Sequence, residues 1–313
     1  MTMLAAGSVP AYAQDTSGTG GVSTNSSGSS SIDSSTVGPQ HEAKLTSEKA
    51  LPDKSSYNLF NPTPSQYMRE LSADRPDKTD CPFTVDAGHF QLEMDYANFT
   101  YDAPSAAHDN QKTENFQVAP MNVKVGLLNN MDFQLVLQPW QWQRVEDKTT
   151  GVVEEDSGFG DISPRIKVNL MGNDGGFFAI ALLPFVELPT AQDNLGNSAL
   201  EGGVGIPYAL NVPEWDVGFQ TTVSMNHNNV GKGYHAEIAN SVSIGHAIVG
   251  PLEYHVEFFS SVSTEQDSGW IGTFDTWFTY QANKNLVFDG GVYIGVTAAA
   301  DNWHPWVGMT WRH

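Results

Sequence analysis

Trp215-Asp216-Val217-Gly218-Phe219-Gln220-Thr221-Thr222-Val223-Ser224-Met225 alternates apolar and polar side chains along almost its whole length. Successive side chains of a strand point to opposite faces, so the stretch predicts a β-strand with one apolar and one polar face. His89 to Tyr96, HFQLEMDY, repeats the pattern. Carried outward from these two, the period of two predicts twelve strands. They lie near 88–101, 115–128, 131–145, 160–171, 176–189, 199–211, 215–226, 234–248, 252–263, 270–282, 286–299 and 304–313. No amphipathic helix of any length interrupts them.

The connections fall into two classes. Those after the even strands are tight: Asn129-Asn130, Gly172-Asn173-Asp174-Gly175, Val212-Pro213-Glu214, Val249-Gly250-Pro251 and Asn283-Lys284-Asn285. These residue types suit turns that need φ > 0 or a fixed φ. Connections after the odd strands are longer and polar, such as Asp102 to Glu114 and Glu146 to Phe159. Short and long loops alternating around an even number of strands predict an all-β fold, an antiparallel up-and-down transmembrane β-barrel of about twelve strands. Tyr208, Trp215, Tyr254, Tyr280 and Trp311 fall near the tight turns; Trp140, Trp142, Trp270 and Trp303 (the last placed in a loop) fall near the other end. Two interfacial girdles would look like this. A soluble barrel of this width would have to fill a wide interior with its apolar face, so apolar-out and polar-in is the better solution.

Composition agrees. The 313 residues carry 15 Lys+Arg against 36 Asp+Glu, a net charge of −21, which excludes nucleic acid as a partner. The longest apolar run, Phe177 to Val186, is ten residues, far short of the roughly 20 a spanning helix needs. A mean hydropathy of −0.31 fits a barrel in which alternate side chains face water.

Four regions follow. Residues 1–13 end in Ala11-Tyr12-Ala13, the small-x-small pattern of a secretory cleavage site. The apolar stretch before it is short and lacks Lys or Arg, which predicts a truncated signal peptide on a protein exported to the periplasm and bound for the bacterial outer membrane. Residues 14–56 are Ser/Gly-rich and read as a disordered tether. Residues 57–87 form a periplasmic lead-in or plug, and 88–313 the barrel.

Placing the polar parity inward gives pore-lining candidates: Glu93, Asp95, Lys124, Asp161, Arg165, Lys167, Glu187, Glu201, Asp216, Glu237, Glu253, His255, Glu257, Asp275 and Asp289, with Arg312 a further inward base. Acids outnumber bases, so the wall is either a lattice of paired charges that stabilises the barrel or a weakly cation-favouring conduit. Asp74-Arg75-Pro76-Asp77-Lys78-Thr79-Asp80 also has two readings. It is a polar lead-in with Arg75 paired to Asp74 or Asp77, or a plug (Asp74, Arg75 and Asp77) whose Arg75 meets lumen acids such as Glu93.

The sequence carries no G-x-S-x-G, H-E-x-x-H or P-loop, so neither an enzyme nor a cofactor is expected. Glu253-x-His255-x-Glu257 puts three potential ligands on one strand face, which predicts a hydrogen-bond ladder over a metal site. A single cysteine, Cys81, permits no intramolecular disulfide. The expected function is passive passage of small molecules. The alternatives are a structural barrel with an occluded lumen, whose Glu154-Glu155-Asp156 bridges lipopolysaccharide through divalent cations, and a membrane-embedded hydrolase. Expected partners are outer-membrane lipid and lipopolysaccharide, the barrel-assembly machinery and small-molecule solutes.

Several stretches resemble the bacterial outer-membrane family called "MetA-pathway of phenol degradation": Leu59-Phe60-Asn61-Pro62-Thr63-Pro64, Met68-Arg69-Glu70-Leu71, Asp74-Arg75-Pro76-Asp77-Lys78-Thr79, Thr84 to Glu93, Gly158-Phe159-Gly160-Asp161, Lys167-Val168-Asn169-Leu170, Leu183-Pro184-Phe185-Val186-Glu187-Leu188-Pro189-Thr190 and Glu201-Gly202-Gly203. The resemblance runs from about residue 57 onward. It implies a barrel that passes aromatic or other small, hydrophobic compounds. It also implies Ser where Cys81 stands and a final Phe where His313 stands, so His313→Phe is expected to raise the heat-modifiable folded fraction.

Overall fold

The computed structural model describes residues 53–192, 195–228, 232–266 and 268–313. The expected leader and most of the tether lie outside them. Among the described residues the chain forms fifteen strand segments: β1 (Phe90–Asp102), β2 (Gln111–Val118), β3 (Met121–Leu128), β4 (Met131–Leu137), β5 (Trp140–Asp147), β6 (Val153–Gly158), β7 (Ser163–Met171), β8 (Phe178–Glu187), β9 (Glu201–Val212), β10 (Trp215–His227), β11 (Tyr234–Val249), β12 (Leu252–Ser263), β13 (Ile271–Asn283), β14 (Leu286–Gly295) and β15 (Trp303–Arg312). They pair antiparallel in one sheet that closes on itself through β15 and β1.

Fifteen segments make twelve staves because three neighbouring staves are each broken once. β2 and β3 are one stave interrupted at Ala119-Pro120, where Ala119 has φ 55 and Pro120 has no N–H to give the ladder. β4 and β5 break at Gln138-Pro139, and β6 and β7 at Phe159 to Ile162. The break shifts parity, so Lys124 is buried on β3 whereas Asn115 is buried on β2.

Two expected long loops are partly strand. β2 begins at Gln111, β5 runs to Asp147 and β6 starts at Val153. Alternation gives no signal there because both faces are polar above the apolar band. Ion pairs hold these segments instead: Arg144 to Glu114 at 3.2 Å and Lys148 to Glu146 at 2.6 Å. The Glu154-Glu155-Asp156 run is therefore part of β6, with Trp142 Nε1 donating to Glu155 at 2.8 Å. β14 stops at Gly295, short of the expected residue 299, because the chain turns there and Thr297 Oγ1 accepts from Gly272 N at 3.0 Å. Trp303 opens β15 instead of lying in a loop.

The outside is apolar. Val204, Val223, Ile238, Val262, Phe274, Phe288 and Val307 are exposed, each on the outward parity of its strand. Trp215, Tyr254, Tyr280 and Trp311 are exposed at the tight-turn end, and Trp140 and Trp303 toward the other. Each outward side chain presents area to lipid that water would disfavour at roughly 25 cal/mol per Å². Charged and amide side chains such as Glu93, Lys124, Gln134, Lys167, Glu257 and Asp275 are buried on the inside. The usual order of a soluble fold is inverted.

Candidate functional site

The lumen is not empty. Asn58 forms a bridge with Leu128 at the tight-turn end, and Arg69 there donates to the Asn129 carbonyl at 3.1 Å and pairs with Asp86 and Asp174, each at 3.2 Å. The chain then rises inside the barrel and returns. Asn169 Nδ2 donates to the Pro82 carbonyl at 2.8 Å, Thr84 N donates to Asn173 at 3.1 Å, and Val85 N to Asp132 at 2.9 Å. Between these limbs, residues 74–80 touch β1, β3, β4, β7 and β10 to β14. Partners around most of the circumference place this inner segment within the wall. Leu71, Ala73, Cys81, Phe83, Val85 and Ala87 are buried along it, a small apolar core inside a polar lumen.

Three charge clusters hold the segment. In the first, Asp74 accepts from Lys124 at 2.5 Å, from Lys167 and from Gln134 at 3.2 Å. Lys124 also pairs with Glu93 at 2.5 Å, and Glu93 accepts from the Asp74 backbone N–H at 3.2 Å. Burial would raise the Asp74 pKa, but the two ammonium groups override it and hold the carboxyl well below the ordinary carboxylate range.

The second cluster is Arg75. Its Nη2 lies 2.6 Å from Asp95 on β1 and 2.6 Å from Asp289 on β14. Asp95 and Asp289 both stand opposite Gly308 of β15. A Cβ at Gly308 would run into the Arg75 guanidinium and the Met94 carbonyl. The missing side chain lets Arg75 lie across the last strand and grip the strands on either side, over the seam where the barrel closes.

In the third, Lys78 pairs with Asp275 at 2.8 Å and donates to Thr273 at 2.7 Å, with its ammonium 4.0 Å from the Tyr293 ring centroid. Tyr293 donates to the Pro76 carbonyl. Thr79 donates to Glu257 at 2.5 Å and meets Ser241 at 2.6 Å, and Asp80 N donates to Gln220 at 2.6 Å.

Of the two expected arrangements of Arg75, the pairing with Asp74 or Asp77 is absent among the described residues, and the lumen acids it meets are Asp95 and Asp289 rather than Glu93. Of the wall residues picked from parity, Glu93, Asp95, Lys124, Arg165, Lys167, Glu257, Asp275 and Asp289 face the inner segment. Of the others, Asp216 shares a hollow with Asp77, Thr79 and Asp80 of the segment, and the rest lie elsewhere. Asp161 accepts three backbone N–H bonds, from Thr190, Ala191 and Asn197. Glu201 accepts from Asn197 and His227, and Glu237 from Ser261. Glu187 stands opposite Glu201. Asp216 adjoins the turn before β10, where it is buried. His255 Nε2 is 3.4 Å from Glu253, and its ring stacks on Trp277 at 5.2 Å. Glu253 and His255 share Thr279, whose hydroxyl donates to Glu253 at 3.3 Å and lies 3.3 Å from His255 Nε2, whereas Glu257 is taken up by Thr79 of the inner segment. Lys78, Thr79, Asp80, Gln220 and Tyr293 were missed as site residues. The density of charge between Asp74 and Asp80 was the available signal for the first three.

Asp77 differs from Asp74. Burial, then the Glu257 carboxylate, pushes its pKa well above the ordinary value, although Ser243 donates a hydrogen bond to it. A carboxyl raised in the folded state favours seating while protonated and loses that contribution as pH rises through its elevated pKa. The melting temperature in detergent should therefore fall as pH rises above the ordinary carboxylate range. Asp77→Asn should flatten the dependence; an unchanged slope would contradict it.

Above the tip lies a cavity of about 420 Å³ bounded by the inner segment on one side and by Val136, Arg165, Leu183, Phe185, Gln220 and Tyr293 of the wall on the other.

Solved structures similar to the chain include the transport unit of the autotransporter AIDA-I from Escherichia coli (TM-score 0.47, 11% identity, 80% of this chain and 94% of that one). The NanC porin aligns at TM-score 0.44 and 6% identity, over 71% and 98% of the two chains. An anion-selective porin from Comamonas acidovorans aligns at 0.34 and 8%, over 72% and 99%. No curated protein matches the sequence. The family model described as "Putative MetA-pathway of phenol degradation" matches residues 73–312.

Proposed function

The chain belongs to that MetA-pathway family as a porin-like β-barrel of the bacterial outer membrane, and on that premise we propose that it is a channel for passive passage of small molecules, aromatic or hydrophobic compounds among them. The observation that carries this reading is the cavity between the inner segment and the wall. It is concave and of ligand-pocket size, and its lining sets an apolar patch of Val136, Leu183 and Phe185 among charged and polar side chains. In this reading the inner segment is a plug. Solute enters from the long-loop end, occupies the cavity and leaves past the tip when the Arg75 and Lys78 contacts give way.

Liposome swelling and planar-bilayer recording test the proposal. The wild-type barrel should pass small solutes slowly, and Arg75→Glu, which faces two acids with a third, should raise both swelling rate and single-channel current. Currents unchanged by the charge reversal would remove the plug from the account. No solute flux in any variant would remove the channel.

A further inference from the structure

Arg165 on β7 is an exception among the bases of the cavity wall. Arg75 is held by two carboxylates and Lys78 by Asp275 and Thr273. Arg165 has no hydrogen bond among the described residues. The nearest carboxylate oxygen, on Asp80, is 4.0 Å from its Nη1, and its Nε has no partner. Asp80 is already engaged, accepting from Gln220 at 3.0 Å while its own N–H donates back. Burial, then the nearby Asp74, raises the Asp80 carboxyl above its ordinary range and weakens its claim on the guanidinium.

The surroundings give the vacant fork a direction. The Arg165 side chain is 28% exposed and lines the cavity. Its guanidinium carbon lies over the Phe185 ring, 5.6 Å from the centroid. Leu183, two residues along β8 on the same inward parity, and Val136 on β4 extend that apolar surface. A guanidinium offers a planar pair of N–H donors that matches a carboxylate. Of the other charged groups lining the cavity, Asp74, Arg75, Lys78, Glu93 and Asp95 are already paired with carboxylate, ammonium or guanidinium groups of the protein.

Resting on the channel reading above, we propose that the cavity is a subsite for small monocarboxylates with an apolar body, aromatic acids of benzoate's size. The carboxylate is held by Arg165 and the ring lies against Phe185, Leu183 and Val136. A neutral alcohol of the same shape keeps the apolar contact and loses the charge-assisted bonds, a difference of about tenfold to a hundredfold in affinity.

Equilibrium dialysis of the purified, folded barrel at neutral pH against radiolabelled benzoate and benzyl alcohol tests this, with heat-modifiability confirming the fold of each variant. The expected result is at least about tenfold tighter binding of benzoate to the wild type, abolished in Arg165→Gln and partly kept in Arg165→Lys. Equal affinities in the wild type, or a preference that survives Arg165→Gln, would overturn the subsite. Liposome swelling with a neutral solute separates the two readings. Flux without benzoate preference overturns the subsite alone, whereas benzoate preference without flux of any solute overturns the channel alone.

Discussion

Asp74→Ala should be among the most damaging single substitutions in the barrel. Lys124 and Lys167 converge on this carboxylate, and their side chains are 2% and 0% exposed. Truncating the acid leaves two ammonium groups in a site closed to water, with Glu93 remaining for Lys124 alone. Removing one partner of a buried ion pair costs about 3–5 kcal/mol, chiefly because the stranded charge keeps its desolvation penalty. The lowered pKa of Asp74 adds a sign. A depressed carboxyl contributes stability above its unfolded pKa and loses it only as pH falls through the folded value, so this clamp should survive mild acid. The native thiol supplies the readout. Burial pushes the Cys81 pKa up to about 12, and the side chain is 3% exposed beside Asp74. Maleimide should therefore label Cys81 negligibly in wild-type outer membranes at neutral pH and readily in Asp74→Ala. Equal labelling would mean that the segment is not pinned by this acid.

Arg75→Ala is the second. It leaves Asp95 and Asp289 facing one another across Gly308, with Asp289 only 2% exposed, and removes the group that spans β1, β15 and β14. The loss is again about 3–5 kcal/mol, and it falls on the closure seam. The melting temperature in detergent should drop and the heat-modifiable fraction shrink. Arg75→Lys should recover only part, because an ammonium lacks the broad planar fork. Gly308→Leu should mimic the loss while retaining every charge, since its side chain would take the space of the guanidinium. If Gly308→Leu melts like the wild type, Arg75 does not cross the seam as described.

The barrel was legible because its signal is local. Alternation such as WDVGFQTTVSM is written into each stave, and the turn residues between them fix up-and-down order. Strands failed to show where both faces are polar, as at Gln111 to Glu114 and Glu154 to Gly158, since alternation needs one apolar side. Parity also placed Glu93, Lys124, Asp275 and Asp289 correctly on the inner face. It could not supply their partners. Arg75 reaches Asp289 across 214 residues of sequence, and nothing in either neighbourhood records the pairing. The net negative wall left open both a lattice of paired charges and a weakly cation-favouring conduit. The inner segment brings Arg75 and Lys78 to that wall, and its Asp74 meets the wall's lysines. Gly308 shows the same limit from the other side, since a glycine in a strand marks a close approach without saying by what.

Whether residues 74–80 occupy the lumen of the membrane-embedded barrel is best tested by tying them to the wall. Thr79 Oγ1 and Ser241 Oγ are 2.6 Å apart. With Cys81 replaced by Ser, Thr79→Cys and Ser241→Cys should form a disulfide on mild oxidation in outer membranes. The shift in mobility should appear only without reductant, and single-channel current should fall until reductant restores it. Two free thiols, both open to maleimide under oxidising conditions, would contradict the account.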